Sequence, residues 1–362
     1  MRIGFDRQTF IIQRYGGISR YFTDLYLGLL EKPEIDAELL FRRHRNAYLE
    51  KEDIGKGLHP LVAEFYIKAL QRGGVRVPLA KHKSIHHSTY YLGLPKKSDG
   101  NTRLVSTLYD MIPELFPQFF KCNPHANKLE WFEASDLIIS ISESSASDLS
   151  YFRPDLASRI RRIHLYSGFN DKSPQVKPKS IKENDRPYVL FVGNRGAYKN
   201  ATMLIRAFAA SKPSSHGHKL FFAGGGAFTK QELASIDDLR ISDYVQQIGV
   251  SDAELWYLYL NAKGVFVPSI AEGFSLPLVE ALAADVPIVC SDIPVHREVA
   301  SDFAALVNPL QYQDWESFLT SISSLKKPSL ILGKDAFMKR RDYFSKERMV
   351  QDHLQAYTDL LA

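Results

Sequence analysis

The sequence predicts an α/β chain of two parallel-sheet domains, and three observations carry that prediction. Short apolar runs of strand character alternate with segments of helical periodicity. One group, residues 264–291, reads as strand, loop, helix and strand, the unit from which parallel sheets are assembled. Between the two halves, residues 171–187 (DKSPQVKPKSIKENDRP) combine lysine, proline and acidic side chains with almost no apolar content, the mark of an exposed linker. The expected domains are residues 1–170 and 188–345, and 346–362 form a closing segment.

The elements follow in order. Residues 2–5 read as a strand, Gly16 and Gly17 lie in a loop, and Ile18, Phe22, Leu25 and Leu29 sit at helical spacing behind them. After the linker, residues 188–193 (YVLFVG) form an apolar strand, 194–199 a polar loop, and Asn200 stands where it can cap a helix carrying Met203, Leu204, Ala207 and Phe208. Residues 220–226 (LFFAGGG) predict a strand and glycine turn, 244–249 another strand, and Ser251 with Glu254 a capping box. Residues 264–269 and 286–291 are strands with a helix between them. There Ser275 is expected to accept from the first open N–H groups, and Pro277 is tolerated in the first turn. In the last segment Met349, Leu354, Tyr357, Leu360 and Leu361 share one helical side.

The run 272–280 (EGFSLPLVE) puts Glu272 in the loop and Glu280 one to two turns into that helix. Open parallel sheets bind ligands beyond the carboxyl ends of their strands, and a helix start offers bare N–H groups and positive dipole to a phosphate. The two carboxylates bracket such a start and can accept from hydroxyls on either side of a diphosphate. A sugar nucleotide has that shape; two solvated glutamates at a helix start would look the same by spacing alone. Arg195 and Lys199 in the 194–199 loop add a guanidinium fork and a mobile ammonium suited to phosphate oxygens.

Residues 271–299 (AEGFSLPLVEALAADVPIVCSDIPVHREV) resemble the donor-binding signature of glycosyltransferase family 4, through Glu272, Gly273, Phe274, Leu276, Pro277, Glu280, Ala281, Pro287, Val289, Ser291, Asp292, Arg297 and Glu298. The resemblance covers nearly the whole chain. Residues 84–91, 104–116 and 136–149 look like successive strand ends of the family's acceptor domain, and 163–170 like the element that closes it. It implies a GT-B architecture: two Rossmann-like domains with parallel sheets facing a central cleft, and a C-terminal helix crossing back to the first. It further implies a retaining transferase with donor contacts at Gly16, Gly17, Arg195, Lys199, Gly273, Phe274, Ser275, Leu276 and Glu280, and weaker base contacts over residues 247–250. Glu272 is expected to hold donor-sugar hydroxyls and Glu280 the ribose. Tyr109-Asp110 stands where many relatives carry His-Asp, so Tyr109 and Asp110 are catalytic candidates with a phenol replacing an imidazole, and His87 is an acceptor-side candidate or, equally, a structural histidine at a strand end. Ala284-Asp285 replaces the family's small pair, which alters a turn.

Composition narrows the setting. A 362-residue chain with 45% hydrophobic residues can bury two cores. Two cysteines, Cys122 and Cys290, build no disulfide framework, and no signal peptide or membrane span is visible, so a cytoplasmic protein is expected. The net charge of +5 falls entirely within residues 1–170, with clusters at Arg42, Arg43 and Arg45 and at Arg72, Arg76, Lys81 and Lys83. Such a domain can rest peripherally on an anionic inner membrane face or attract a phosphorylated acceptor; an ordinary solvated face carries the same charge.

No D-x-D triplet is present, so neither a metal clamp nor any other cofactor is expected beyond the nucleotide-sugar co-substrate. The loop from Gly193 to Asn200 looks like that of bacterial mannosyltransferases of surface polysaccharide synthesis, which favours GDP-mannose over a UDP-sugar and a glycan or lipid-linked acceptor. An epimerase or phosphorylase on the same scaffold, or a non-catalytic sugar-nucleotide binder, stays open because fold does not fix reaction. A dinucleotide oxidoreductase is disfavoured because no first strand leads into G-x-G-x-x-G, and no nucleic-acid partner is expected.

Overall fold

Six short strands line up in each of two sheets in this computed structural model, which describes residues 1–71, 75–79, 83–96, 101–182 and 186–362. The first sheet holds β1 (Arg2–Phe5), β2 (Asp36–Leu39), β3 (Ile85–Ser88), β4 (Arg103–Leu108), β5 (Leu137–Ser140) and β6 (Ile160–Arg162), in the order β6-β5-β4-β3-β1-β2. The second holds β7 (Tyr188–Val192), β8 (Lys219–Ala223), β9 (Val245–Ile248), β10 (Gly264–Val267), β11 (Ile288–Ser291) and β12 (Ala305–Val307), in the order β9-β8-β7-β10-β11-β12. All neighbours within both sheets are parallel. Parallel strands are covered on both faces, which is why β10 and β11 are buried at every residue and read as unbroken apolar runs. In each sheet the strand order reverses beside its first strand, between β1 and β3 and between β7 and β10, and such reversals are where doubly wound folds open a crevice for ligands.

The chain packs as two units, Met1–Leu165 with Ser345–Ala362, and Tyr166–Phe344. In the second, α3 (Ala201–Ala210) buries Leu204, Ala207 and Phe208 against Val189, Phe222, Phe266 and Trp315. The segment expected as an exposed linker meets this unit in its described part, where the Val176 N–H bonds to Ala253 O at 3.0 Å; just before it Phe169 stacks on Trp256 at 5.1 Å. Residues 183–185 of it lie outside the described residues. Residues 163–170 form no strand; β6, just before them, completes the first sheet.

In the first unit, α1 (Gly17–Leu30) packs against the C-terminal helix, Lys346–Leu361. Gly28 makes the approach possible, since a Cβ there would lie 2.5 Å from Val350 Cγ2. His353 Nε2 and Tyr21 Oη are 2.6 Å apart, and Tyr357 Oη and His87 Nδ1 2.7 Å. His87 Nε2 also meets Thr107 Oγ1 at 2.8 Å, and its ring is fully buried. His87 is therefore a structural tie between sheet and last helix, which corrects its acceptor-side assignment; both its nitrogens are engaged.

Candidate functional site

The carboxyl ends of β7 and β10 lie at the second unit's strand-order reversal, and an ion pair joins the loops that leave them. Lys199 Nζ lies 2.6 and 2.8 Å from the two carboxylate oxygens of Glu272. Ser269 Oγ donates to Glu272 Oε1 at 2.7 Å. Pro268, which has no N–H to offer a ladder, follows the last residue of β10, and the Ile270 N–H bonds to Tyr198 O at 2.7 Å, fastening the two loops together. The side chain of Glu272 is 7% exposed and that of Lys199 20%, so the carboxylate is held while the ammonium keeps a path to solvent. Two residues separated by 73 positions thus meet at one point.

Beyond Glu272 the chain turns through Gly273, Phe274 and Ser275 into α6 (Leu276–Ala283). Phe274 is buried, with its ring 6.1 Å from Phe344, and anchors the turn by packing. Ser275 occupies the position before the helix but has φ 76°, and its side chain makes no capping bond. The left-handed backbone turns the hydroxyl away from the helix's N–H groups, which corrects the expected cap, and the buried Ser275 Oγ has no hydrogen-bond partner. Asn200, also expected as a cap, is left-handed at φ 57° and caps nothing by its side chain. Its amide instead donates to Pro309 O at 2.8 Å and Pro268 O at 3.2 Å, tying the β7 and β10 loops. Glu280, one turn into α6, is buried and accepts from Tyr259 Oη at 2.7 Å. Burial and the Glu280 carboxylate both raise the Tyr259 pKa, so the phenol keeps its proton as the donor.

Arg195 does something other than the sequence suggests. Its side chain is 5% exposed; Nε lies 2.7 Å from Glu232 Oε1, Nη1 reaches Gly224 O and Gly226 O, and Nη2 reaches Ala227 O. Gly225 has φ 71° and no room for a Cβ, which would meet Arg195 Nη1 at 2.8 Å. The 224–226 glycines therefore wrap the guanidinium, and Glu232 joins it to the capping box of Lys230–Asp238. A planar fork with this set of acceptors clamps the 224–227 turn to the loop after β7, while the Lys199 ammonium lies on Glu272.

The other assigned residues lie in the first unit. Tyr109 is buried and its hydroxyl donates to Thr89 O at 2.9 Å, while burial holds its pKa well above 10. A phenol committed to a main-chain carbonyl is a brace, which corrects its catalytic assignment. Asp110 Oδ1 accepts from the Ile112 N–H at 3.0 Å and its carbonyl from Lys128 Nζ at 2.8 Å, so it shapes the turn after β4. Gly16 precedes α1, and a Cβ there would lie 2.4 Å from Gln13 Oε1, the atom that accepts from the Ser19 N–H at 3.0 Å. Its smallness thus serves a helix start already supplied with one acceptor, and Gly17 is the first residue of that helix. At the first unit's strand-order reversal, Asp6 accepts from Gln8, Ser88 and Thr89, a buried network that no motif announced. No motif marks Tyr259, Ser269, Glu232 or His296 as site residues, since each is recognised only by what surrounds it. Arg72 and Lys81 lie outside the described residues. Among the described residues no cluster of three His, Cys, Asp or Glu side chains could hold a metal ion, and no helix is long and apolar enough to cross a membrane.

Residues 172–338 match the family model described as glycosyl transferases group 1. The chain is 34% identical over 194 residues to the O-antigen chain mannosyltransferase RfbU of Salmonella typhimurium, an alignment spanning 52% of each chain. It thus spans about half the length of that relative. With O-antigen chain mannosyltransferase B of Escherichia coli it shares 25% identity over 323 residues, 81% of this chain and 83% of the other. Among solved structures, HepE of Anabaena in complex with UDP and glucose superposes with a TM-score of 0.71 at 17% identity, over 99% of this chain and 100% of that one, a likeness of fold. The matched family segment contains Lys199, Glu272 and Glu280, and the shared fold is the GT-B architecture of two parallel-sheet domains.

Proposed function

We propose that the chain is a retaining, metal-independent hexosyltransferase that moves a sugar, mannose by preference, from a nucleotide-sugar donor to a hydroxyl of a glycan or lipid-linked acceptor in surface polysaccharide synthesis. The observation that carries this is the Lys199–Glu272 pair at the strand-order reversal of the second unit, with Glu280 one turn into the helix that follows. Donor binding lets Lys199 turn from Glu272 toward the diphosphate, because an ammonium on a flexible stem is shared readily between anions. Glu272, still held by Ser269, then accepts from hydroxyls of the donor ring. Glu280, braced by Tyr259, accepts from the ribose. The bond between the anomeric carbon and the phosphate oxygen breaks, the acceptor oxygen bonds to the same face, and its proton passes to the departing phosphate. Charge on the leaving group is met by Lys199 and the N–H groups at the start of α6.

Mannose and GDP are favoured because both curated relatives described above are mannosyltransferases. A UDP-sugar is the second reading, since HepE was solved with UDP. For the acceptor side, Arg42 and Arg43 are exposed, and Leu61, Val62 and Phe65 project into solvent from the helix Pro60–Gln71. Exposed cations and exposed apolar side chains in one unit suit an anionic membrane carrying a lipid-linked acceptor. The test is transfer from GDP-mannose and UDP-glucose to a lipid-linked acceptor with chelator present, followed by the anomeric configuration of the product. Transfer with retention in chelator supports the proposal. Activity that needs added manganese or magnesium, an inverted product, or an epimerised donor without transfer overturns it.

A further inference from the structure

We propose that His296 provides a sugar-hydroxyl subsite of the donor pocket, an inference that rests on the nucleotide-sugar reading above. Val267 of β10 is paired with Cys290 of β11, so the loops that leave the two strands are neighbours at the same sheet edge. The loop after β10 carries Ser269, Glu272 and Ser275; the loop after β11 leads into α7 (Pro294–Ala300), which packs against α6 and contains His296. The His296 ring is fully buried, and its Nδ1 lies 2.9 Å from Ser291 O. A main-chain carbonyl can only accept, so Nδ1 carries the proton and Nε2 presents a bare lone pair. That Nε2 is buried without a hydrogen-bond partner, as is Ser275 Oγ at the start of α6. Two unpartnered polar atoms at the edge where Lys199 and Glu272 meet call for a missing partner.

The chemistry of that partner follows from the lone pair. Burial drives the imidazole pKa down to about 4, and its charge interactions reach both Glu272 and Lys199, which puts the ring within range of the ion pair. A neutral acceptor repels phosphate oxygens and welcomes an O–H donor. The ribose hydroxyls already have Glu280 in the account above, so His296 Nε2 is assigned to a hydroxyl of the transferred sugar. This makes His296 a specificity residue that reads the sugar and is indifferent to the nucleotide.

The experiment titrates GDP and GDP-mannose, with UDP and UDP-glucose as a second pair, into the full chain and into His296→Leu and His296→Gln. Leucine removes the acceptor; the glutamine oxygen keeps one. His296→Leu is expected to bind the nucleoside diphosphate as wild type does and the matching nucleotide sugar about tenfold more weakly, with His296→Gln recovering most of the loss. Monodeoxy donors should show one position whose removal weakens wild type and leaves His296→Leu unaffected. Equal donor affinity in wild type and His296→Leu overturns the subsite. So does parallel loss of nucleotide and nucleotide sugar, which marks a purely structural ring. If circular dichroism shows His296→Leu unfolded, the decision passes to the monodeoxy donors on wild type: binding of every monodeoxy donor as tightly as the parent nucleotide sugar overturns the proposal. Wild type that binds neither pair refutes the donor reading itself.

Discussion

Replacing Glu272 with glutamine should cut turnover about a hundredfold while leaving nucleoside diphosphate affinity within about twofold of wild type. The amide keeps the side chain's length and one oxygen for Ser269, now 2.7 Å away. It replaces the other oxygen by an NH2 that faces the Lys199 ammonium, which in wild type sits 2.6 and 2.8 Å from the carboxylate. Losing one partner of a buried pair costs about 3–5 kcal/mol of stability. Lys199 is 20% exposed and recovers part of its hydration, so the expected loss is about 2 kcal/mol. In the transition state the missing charge faces a ring developing positive character, and about 3 kcal/mol of lost stabilisation corresponds to the hundredfold. Initial rates at saturating donor, with calorimetry of the free nucleoside diphosphate, separate these effects. A kcat within threefold of wild type, or nucleotide affinity lost in step with turnover, would refute the assignment of Glu272 to the donor ring.

Three further outcomes follow from the same geometry. Arg195→Ala should lower stability by about 2–4 kcal/mol, because it strands Glu232 and the carbonyls of Gly224, Gly226 and Ala227, and Arg195→Lys should not restore it; an unchanged melting temperature for Arg195→Ala would contradict the clamp. His296 and His353 are buried with pKa values of about 4, and in the unfolded chain they take up protons below about 6.5. Stability should therefore be level above pH 7 and fall as pH drops from about 6.5 towards 4, by about 2 kcal/mol per histidine at pH 5; a flat thermal midpoint between pH 7 and 5 would contradict it. Flotation with anionic vesicles should weaken in Arg42→Ala/Arg43→Ala and further with Phe65→Ser. Arg45 is left out because its guanidinium bonds to Ile12 O at 2.7 Å, and equal flotation of wild type and variant removes the membrane face.

Much of the fold was legible because parallel strands announce themselves as wholly apolar runs, as with β7 and β10, and because capping boxes such as Ser251 with Glu254 are local. The strand order was not, since it depends on which runs pair across tens to hundreds of residues. At the site, Glu272, Lys199 and Glu280 could be picked out by motif. Their partners could not: Lys199 meets Glu272 across 73 residues and Tyr259 meets Glu280 across 21. Asn200 and Ser275 were misjudged as caps, and Arg195 is held otherwise than its type suggests, for one physical reason. Residue type shows what a side chain can do, whereas the left-handed backbone at Asn200 and Ser275, and the carbonyls wrapped around Arg195, decide what it does. His87 and Tyr109 were named through the resemblance, and burial shows them as ties within the first unit.

The central claim is that the nucleotide sugar binds where the β7 and β10 loops meet. Calorimetric titration of GDP-mannose and UDP-glucose into wild type, Glu280→Ala and Lys199→Ala tests it most directly. The account predicts saturable binding of one donor by wild type. Glu280→Ala and Lys199→Ala should each weaken that binding by about 1–3 kcal/mol, with the folded structure retained by circular dichroism. Donor binding to wild type that survives both substitutions unchanged would contradict the account and move the pocket elsewhere in the molecule.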